Sequence, residues 1–184
     1  MKTLYTIYTH GNEVPPYALP YEKLIANQAA YQMGTRHKET DLNRSFNVEN
    51  PQSYEEKRAD EIIDHINRVG YELVVDIHRT DAPTAVFTAL ITKLEDYQYA
   101  LPYLPHAVVL IDSPHSLIQN VPHGVALEYP KHFTGSQETP NLYRVKDFVE
   151  AKEGWQDFVP VAEGIPYIVG ESSYEGKCFL LERL

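Results

Sequence analysis

The sequence predicts an open α/β sheet followed by a small β-rich appendage. Up to about residue 130, apolar runs of strand length alternate with stretches of helical periodicity, the pattern of a sheet flanked by helices. After Pro130 the chain turns to Pro-, Gly- and aromatic-bearing sequence with only short apolar runs. Its size agrees. A chain of 184 residues, 43% hydrophobic and 23% charged, suits one domain or one domain plus an appendage, with a core large enough to need no disulfides.

The elements follow in order. Leu4 to Thr9 alternates apolar and polar β-formers and stops at His10-Gly11, so it reads as a strand that delivers a histidine to a loop. Pro15, Pro16 and Pro20 confine any helix here to the stretch from about Tyr21 to Met33, where Gly34 supplies a stop. Thr35 to Asn50 is polar and turn-rich. Pro51 and Ser53 open the clearest helix, which carries Ala59, Ile62, Ile63, Ile66 and Val69 at helical spacing and ends at Gly70. Tyr71 to Ile77 is a buried strand, again ending in a histidine. Ala85 to Thr92 and Ala107 to Asp112 are strands around a short helix at Leu94–Tyr103, and Gly124 to Tyr129 is a further strand. Lys131 to Asn141 is a loop, and short strands are expected at Phe158–Val161, Tyr167–Val169 and Cys178–Leu181.

Composition excludes several classes. A net charge of −10 argues against nucleic-acid binding, because phosphate neutralisation needs clustered Lys and Arg. No apolar run approaches membrane-spanning length, and Met1 to Tyr8 lacks the apolar core of a secretory signal. A single cysteine, Cys178, excludes an internal disulfide and a Cys-rich zinc module, so a cytoplasmic location is expected.

Three signals carry chemistry. His10-Gly11-Asn12-Glu13 sets an imidazole and a carboxylate together just after a strand, and Gly11 is expected to let the loop turn sharply. His78 leaves the end of the next strand. Two His and one Glu leave a fourth coordination position open, the ligand count of a catalytic zinc. Asp76 shares a strand face with His78 and is placed to orient that imidazole. The second signal is Asp41-Leu42-Asn43-Arg44-Ser45-Phe46, in which Arg44 offers a planar fork for a carboxylate and Asn43 an amide donor beside it. Arg36, eight residues before Arg44, brings a second guanidinium within reach. As a plain structural feature, the same stretch is an Asx-type turn with a solvated arginine. The third is Glu128, a carboxylate at the end of an apolar strand and outside the ligand set, where a general base for zinc-bound water belongs.

Among the other histidines, His37, His65, His106, His115 and His132 read as surface or loop residues. His123, near the Glu128 strand, is the one further histidine considered for the pocket. Arg58 reads as the partner of Glu55 or Glu61 on its own helix.

Taken together, His10-Gly11-Asn12-Glu13, then Asn27, Gly34, Arg36, Asp41 to Phe46, Tyr54-Glu55 with Arg58-Ala59, Asp76-Ile77-His78 and Gly124 to Glu128 resemble the succinylglutamate desuccinylase/aspartoacylase family, relatives of the zinc carboxypeptidases. The resemblance covers roughly residues 4 to 130 and extends faintly over Trp155 to Leu181. It implies a carboxypeptidase-like α/β/α sandwich with a mixed central sheet, in a catalytic domain over residues 1–135 and an abbreviated β-rich segment over 136–184. It also implies one Zn2+ per chain on His10, Glu13 and His78. Arg36 would polarise the scissile carbonyl, Asn43 and Arg44 would hold a substrate carboxylate, and Glu128 would act as general base and then acid.

Two departures bear on specificity. Arg79 stands where the family usually has asparagine, and Ile118 where aspartoacylase carries a carboxylate-binding arginine. Arg79 is therefore expected to contact substrate in compensation. The reading is a zinc amidohydrolase acting on an N-acyl amino acid or similar small carboxylate, with no nucleic-acid or membrane partner and with homo-oligomerisation left open. The alternatives are a small carboxypeptidase or peptide amidase, and a non-catalytic carboxylate-binding protein.

Overall fold

The longest helix begins where its capping chemistry requires. In the computed structural model, Ser53 accepts from the Glu56 backbone and Glu56 reaches back to the Ser53 N–H, so α2 runs Tyr54–Val69 and Pro51 stays outside it. Ala59, Ile62 and Ile66 form its buried stripe, and Gly70 ends it in the left-handed region. The structure describes residues 1–15, 21–80, 87–103, 105, 107–130, 158–161 and 178–183, with the backbone alone for 107 and the last two segments.

The first strand, β1, is Thr3–Ile7. The stretch Tyr21–Met33, the limits expected for any helix here, divides into a strand and a helix that ends at Gly34 as expected. Lys23–Ile25 forms β2, paired parallel to β1, and Gln28–Met33 forms α1. Asn27 accounts for the division: its side chain caps α1 by accepting from the Ala30 N–H, so helix cannot extend back through it. Beyond α2 come β3 (Leu73–Thr80), β4 (Thr88–Ile91), a helical segment with α3 at Tyr97–Ala100, β5 (Ala107–Ile111) and β6 (His123–Pro130). Phe158–Val161 and Cys178–Arg183 are β7 and β8. The expected loop at 131–141 and strand at Tyr167–Val169 lie outside the described residues.

The strands form one mixed sheet in the order β2-β1-β3-β6-β4-β5-β8-β7. The four strands from β2 to β6 run parallel, β4 is antiparallel to β6, and β5 is parallel to β4. The backbones of β8 and β7 continue the sheet antiparallel beyond β5. One face packs Leu4 and Val74 under Ala59, Ile62 and Ile66 of α2, together with Leu42, Phe46 and Leu117. The opposite face packs Ile7, Val75, Ile77, Val125 and Leu127 against Tyr97 and Ala100. Helical segments on both faces make this an α/β/α sandwich. Among the described residues, no helix is long and apolar enough to cross a membrane.

Register decides what the α2 face presents. Thr6 is aligned with Asp76, and His78 with Glu128, so these side chains share one face of the sheet. Towards the amino ends that face is apolar (Leu4, Val74), and towards the carboxyl ends it becomes polar (Asp76, His78, Glu128). The candidate site sits at that transition, as expected for the carboxyl ends of parallel strands.

Glycine is needed at two places for close approach rather than for a turn. Gly11 does not adopt a positive φ; a Cβ there would overlap the Ala30–Tyr31 backbone of α1. A Cβ on Gly124 would meet the Ile118 backbone in the same way. The chain does turn sharply at Gly11, the Glu13 N–H donating to His10 O, but the need for glycine there comes from packing. Gly11→Ala should destabilise the protein by about 1–3 kcal/mol, the usual range for overpacking, as measured by urea unfolding. Unchanged stability would show that α1 can move aside.

Candidate active site

His10 reaches the pocket through a constrained backbone. Tyr8, between β1 and the His10 loop, has φ 56°, a left-handed conformation that is rare for a bulky side chain. It is held by neighbours on both sides: the Ala26 N–H donates to Ile7 O and the Asn27 N–H to Tyr8 O, at 2.9 and 3.1 Å. His10 then lies 5% exposed, and the Gly11 N–H donates to Arg36 O.

Glu13 bridges the two imidazoles. Its Oε1 is 2.7 Å from His10 Nδ1 and its Oε2 is 3.0 Å from His78 Nδ1. The rings lie edge to face with centroids 5.0 Å apart. One donor atom from each of these residues falls within 4.8 Å of the others, which is close enough to enclose a metal ion.

The far nitrogen of each ring is braced by a carboxylate. His78 Nε2 is 2.6 Å from Asp76 Oδ2, as Asp76's strand position suggested. Asp76 is fully buried and accepts from the Thr6 and Thr9 hydroxyls, both at 2.7 Å. His10 Nε2 is 3.0 Å from Asp41 Oδ1, and Asp41 Oδ2 accepts from Arg36 Nη2. Asp41 also accepts from the Asn43 N–H and so caps the short 3-10 turn Leu42–Arg44. The Asx-turn reading of this stretch is correct, but Asp41's grip on His10 could not be inferred from it. The signal available was only the DxNR spacing, which places an acid near Arg44 and says nothing of His10.

Electrostatics follow from this packing. Burial lowers the His78 pKa, but the charges of Asp76 and Glu128 more than offset it and hold the imidazole well above its ordinary value. Burial likewise opposes charge on His10, and its hydrogen bonds to Asp41 and Glu13 raise it above the ordinary range. Burial would raise Glu13, yet its bonds to the two histidines keep its carboxyl below the usual carboxylate range. Asp41 is lowered for the same kind of reason, burial being outweighed by His10 and then Arg36. Four carboxylates surrounding two imidazoles make a field that favours an added cation, and two N and one O donor suit zinc.

Glu128 is 7% exposed and lies beside His78 in the β3–β6 register, outside the Glu13 bridge. Arg36 is half exposed at the rim, with Nη1 3.6 Å from Glu13 Oε1. Asn43 Oδ1 accepts from the Leu117 N–H, and Arg44 is exposed with its Nη1 donating to Asn43 O. Arg79 lies on the sheet face opposite His78. Its N–H donates to Glu13 Oε2 and its Nη1 to Val14 O, so in this structure it braces the loop that carries Glu13. His123 does not reach the pocket. It begins β6, about 16 Å along the strand from Glu128, and bonds Asp96. Arg58 pairs with Glu61 rather than Glu55 and donates to the Ala26 and Ile25 carbonyls.

Residues 22–132 match the family model of the succinylglutamate desuccinylase/aspartoacylase catalytic domain. The chain belongs to this family of deacylating hydrolases. The match takes in Arg36, Asn43, Arg44, His78 and Glu128 and begins after His10 and Glu13, whose place in the site rests on the geometry. A probable aspartoacylase of Prochlorococcus marinus (strain AS9601) is 33% identical over an alignment of 98 residues, with a coverage of 40% of this chain and 33% of that protein. The chain thus spans about a third of the length of the curated relatives it matches. The succinylglutamate desuccinylase of Chromobacterium violaceum shares the fold with a TM-score of 0.59 at 18% identity, covering 100% of this chain and 85% of that one. Csd4 of Helicobacter pylori, a D,L-carboxypeptidase, does so with a TM-score of 0.53 at 13% identity, covering 72% and 46%.

The Thr–Asp–His relay beneath the pocket is testable by itself. Thr9→Val is nearly isosteric and removes one donor from the buried Asp76, so it should cost about 1–3 kcal/mol in urea unfolding. Native-like stability would mean that water takes the place of the hydroxyl.

Proposed function

We propose that this chain is a zinc-dependent amidohydrolase that removes the acyl group from an N-acyl amino acid or a related small carboxylate, in the cytoplasm. The observation that carries the proposal is the convergence of His10, Glu13 and His78 with Glu128 held beside them and outside the donor set. Membership of a deacylase family supports it.

His10, Glu13 and His78 would hold one zinc ion. When bound, the ion would supply Lewis acidity, lowering the pKa of a water towards about 7 and polarising an amide carbonyl. The remaining steps belong to the protein. Glu128 takes the proton from the attacking water and passes it to the departing amine nitrogen, so that one carboxylate serves as base and then acid. Arg36 balances the negative charge that develops on the carbonyl oxygen. Arg44 and the side-chain amide of Asn43 hold the substrate carboxylate, a planar fork and a donor matched to two oxygens. Asp41 and Asp76 keep the imidazoles oriented with Nδ1 towards Glu13. The products are a carboxylic acid and a free amine.

Glu128→Gln keeps size and shape but cannot accept a proton. It should retain zinc and substrate affinity while kcat falls by roughly 10²–10⁴-fold, measured by amine release from a panel of N-acyl amino acids and short peptides. Near-native turnover would assign the base elsewhere. Peptides cleaved in preference to N-acyl amino acids would favour a carboxypeptidase, and zinc binding without hydrolysis of any substrate a binding protein. In the same assay, Arg44→Ala should impair carboxylate substrates more than their neutral amide analogues.

A further inference from the structure

The two chain segments that meet at His10 are both tied to one buried acid that no part of the proposed mechanism uses. Glu55 lies in the first turn of α2 and is 0% exposed. Its Oε1 accepts from the Lys38 N–H at 2.6 Å and from Asn27 Nδ2 at 3.2 Å, and its Oε2 accepts from the Glu39 and Thr40 N–H groups, both at 3.1 Å. A helix-start acid that serves only the helix dipole does so from the surface, as the neighbouring Glu56 does while closing the capping box. Glu55 instead spends its oxygens on a different segment of chain.

That segment leads directly to the site. Thr40 is followed by Asp41, which holds His10 Nε2 and Arg36 Nη2. Arg36, two residues before Lys38, also receives the Gly11 N–H on its carbonyl. The fourth donor, Asn27, gives its own N–H to Tyr8 O and thereby helps hold the left-handed Tyr8 two residues before His10. The bonds form a closed circuit from Tyr8 through Asn27, Glu55 and residues 38–40 to Asp41, and back to His10. All the partners facing Glu55 in it are donors, so the position calls for a group that only accepts. A glutamine would turn an NH2 towards N–H groups.

We infer that Glu55 is a positioning residue for the proposed metal centre: it fixes the backbone of residues 38–40 and Asn27, and so sets where Asp41 and Arg36 meet His10 and Glu13. The metal part of this inference rests on the proposed His10–Glu13–His78 site, whereas the positioning part concerns the chain alone.

The experiment compares native protein, Glu55→Gln, Glu55→Asp and, as a control for lost stability, Ile66→Val in the core of the same helix. Hydrogen exchange without metal reads the positioning, and titration with Zn2+ or Co2+ reads its consequence. Glu55→Gln should raise exchange at residues 38–41 and 8–11 together by tenfold or more, and weaken metal affinity about 10–100-fold, the usual effect of losing support behind a ligand. Glu55→Asp, still acceptor-only, should restore part of both, and it carries the test if the glutamine variant does not fold. Asp41→Asn should weaken metal binding less in the Glu55→Gln background than alone, because the two act in one circuit. Ile66→Val should leave affinity and both segments unchanged. Fully additive losses, or exchange that rises evenly over the chain as in a merely weaker protein, would overturn the role. If native protein takes up neither Zn2+ nor Co2+, the metal reading falls, and the exchange at residues 8–11 and 38–41 alone decides for or against Glu55.

Discussion

A carboxylate clasped between two buried imidazoles organises this molecule. Glu13 sits 2.7 and 3.0 Å from the Nδ1 atoms of His10 and His78, and much of the surrounding structure makes that cluster tolerable away from water. Buried charge is stable only when paired and hydrogen-bonded. Asp76 meets that requirement behind His78 with two threonine hydroxyls of its own, and Asp41 meets it behind His10 with Arg36. The sheet supplies the alignment: β1 stops at Ile7, opposite Ile77, and leads into the His10 loop, while β3 and β6 run on together to Thr80 and Pro130 in a register that sets Glu128 beside His78. The apolar half of the same face, packed under α2, holds that register, since a slip of one residue would turn His78 and Glu128 to the other side.

How much of this was legible in the sequence depends on the range of the interaction. Local chemistry was readable. Pro51 and Ser53 announced the start of α2, the apolar alternation announced β1, and Asp76 two residues before His78 announced a shared face. Where only outer limits were legible, the reading was coarse: the helix lies within Tyr21–Met33 and stops at Gly34 as read, but Leu24 and Ile25 find a strand partner in β1 and Asn27 starts the helix only behind them. Gly11 illustrates a correct residue with a different physical reason, because nothing local reveals that α1 crosses over its Cα.

The site shows the same division. His10, Glu13, His78 and Glu128 were identifiable as strand-end residues of the right chemistry, and the structure brings them together. Asp41 was read for its turn and not for its grip on His10, which spans 31 residues of sequence. Glu55 was read as one of two candidate partners of Arg58; its partners are Asn27 Nδ2 and backbone N–H groups 15 to 17 residues earlier. Arg79 was read as a substrate contact because it departs from the family pattern; that its N–H donates to Glu13 and its Nη1 to Val14 O was not foreseen. Backbone donors carry no sequence signature, and that is why these contacts were invisible.

His10 and Glu13 precede residue 22, where the family match begins, and their role as metal ligands is open to direct observation. Diffraction from zinc-loaded crystals, recorded on both sides of the zinc absorption edge, tests it without reference to substrate. The account expects one anomalous peak per chain, within about 2.0–2.2 Å of His10 Nδ1, His78 Nδ1 and a Glu13 oxygen. A peak on other residues, or none in crystals grown with zinc, would contradict it.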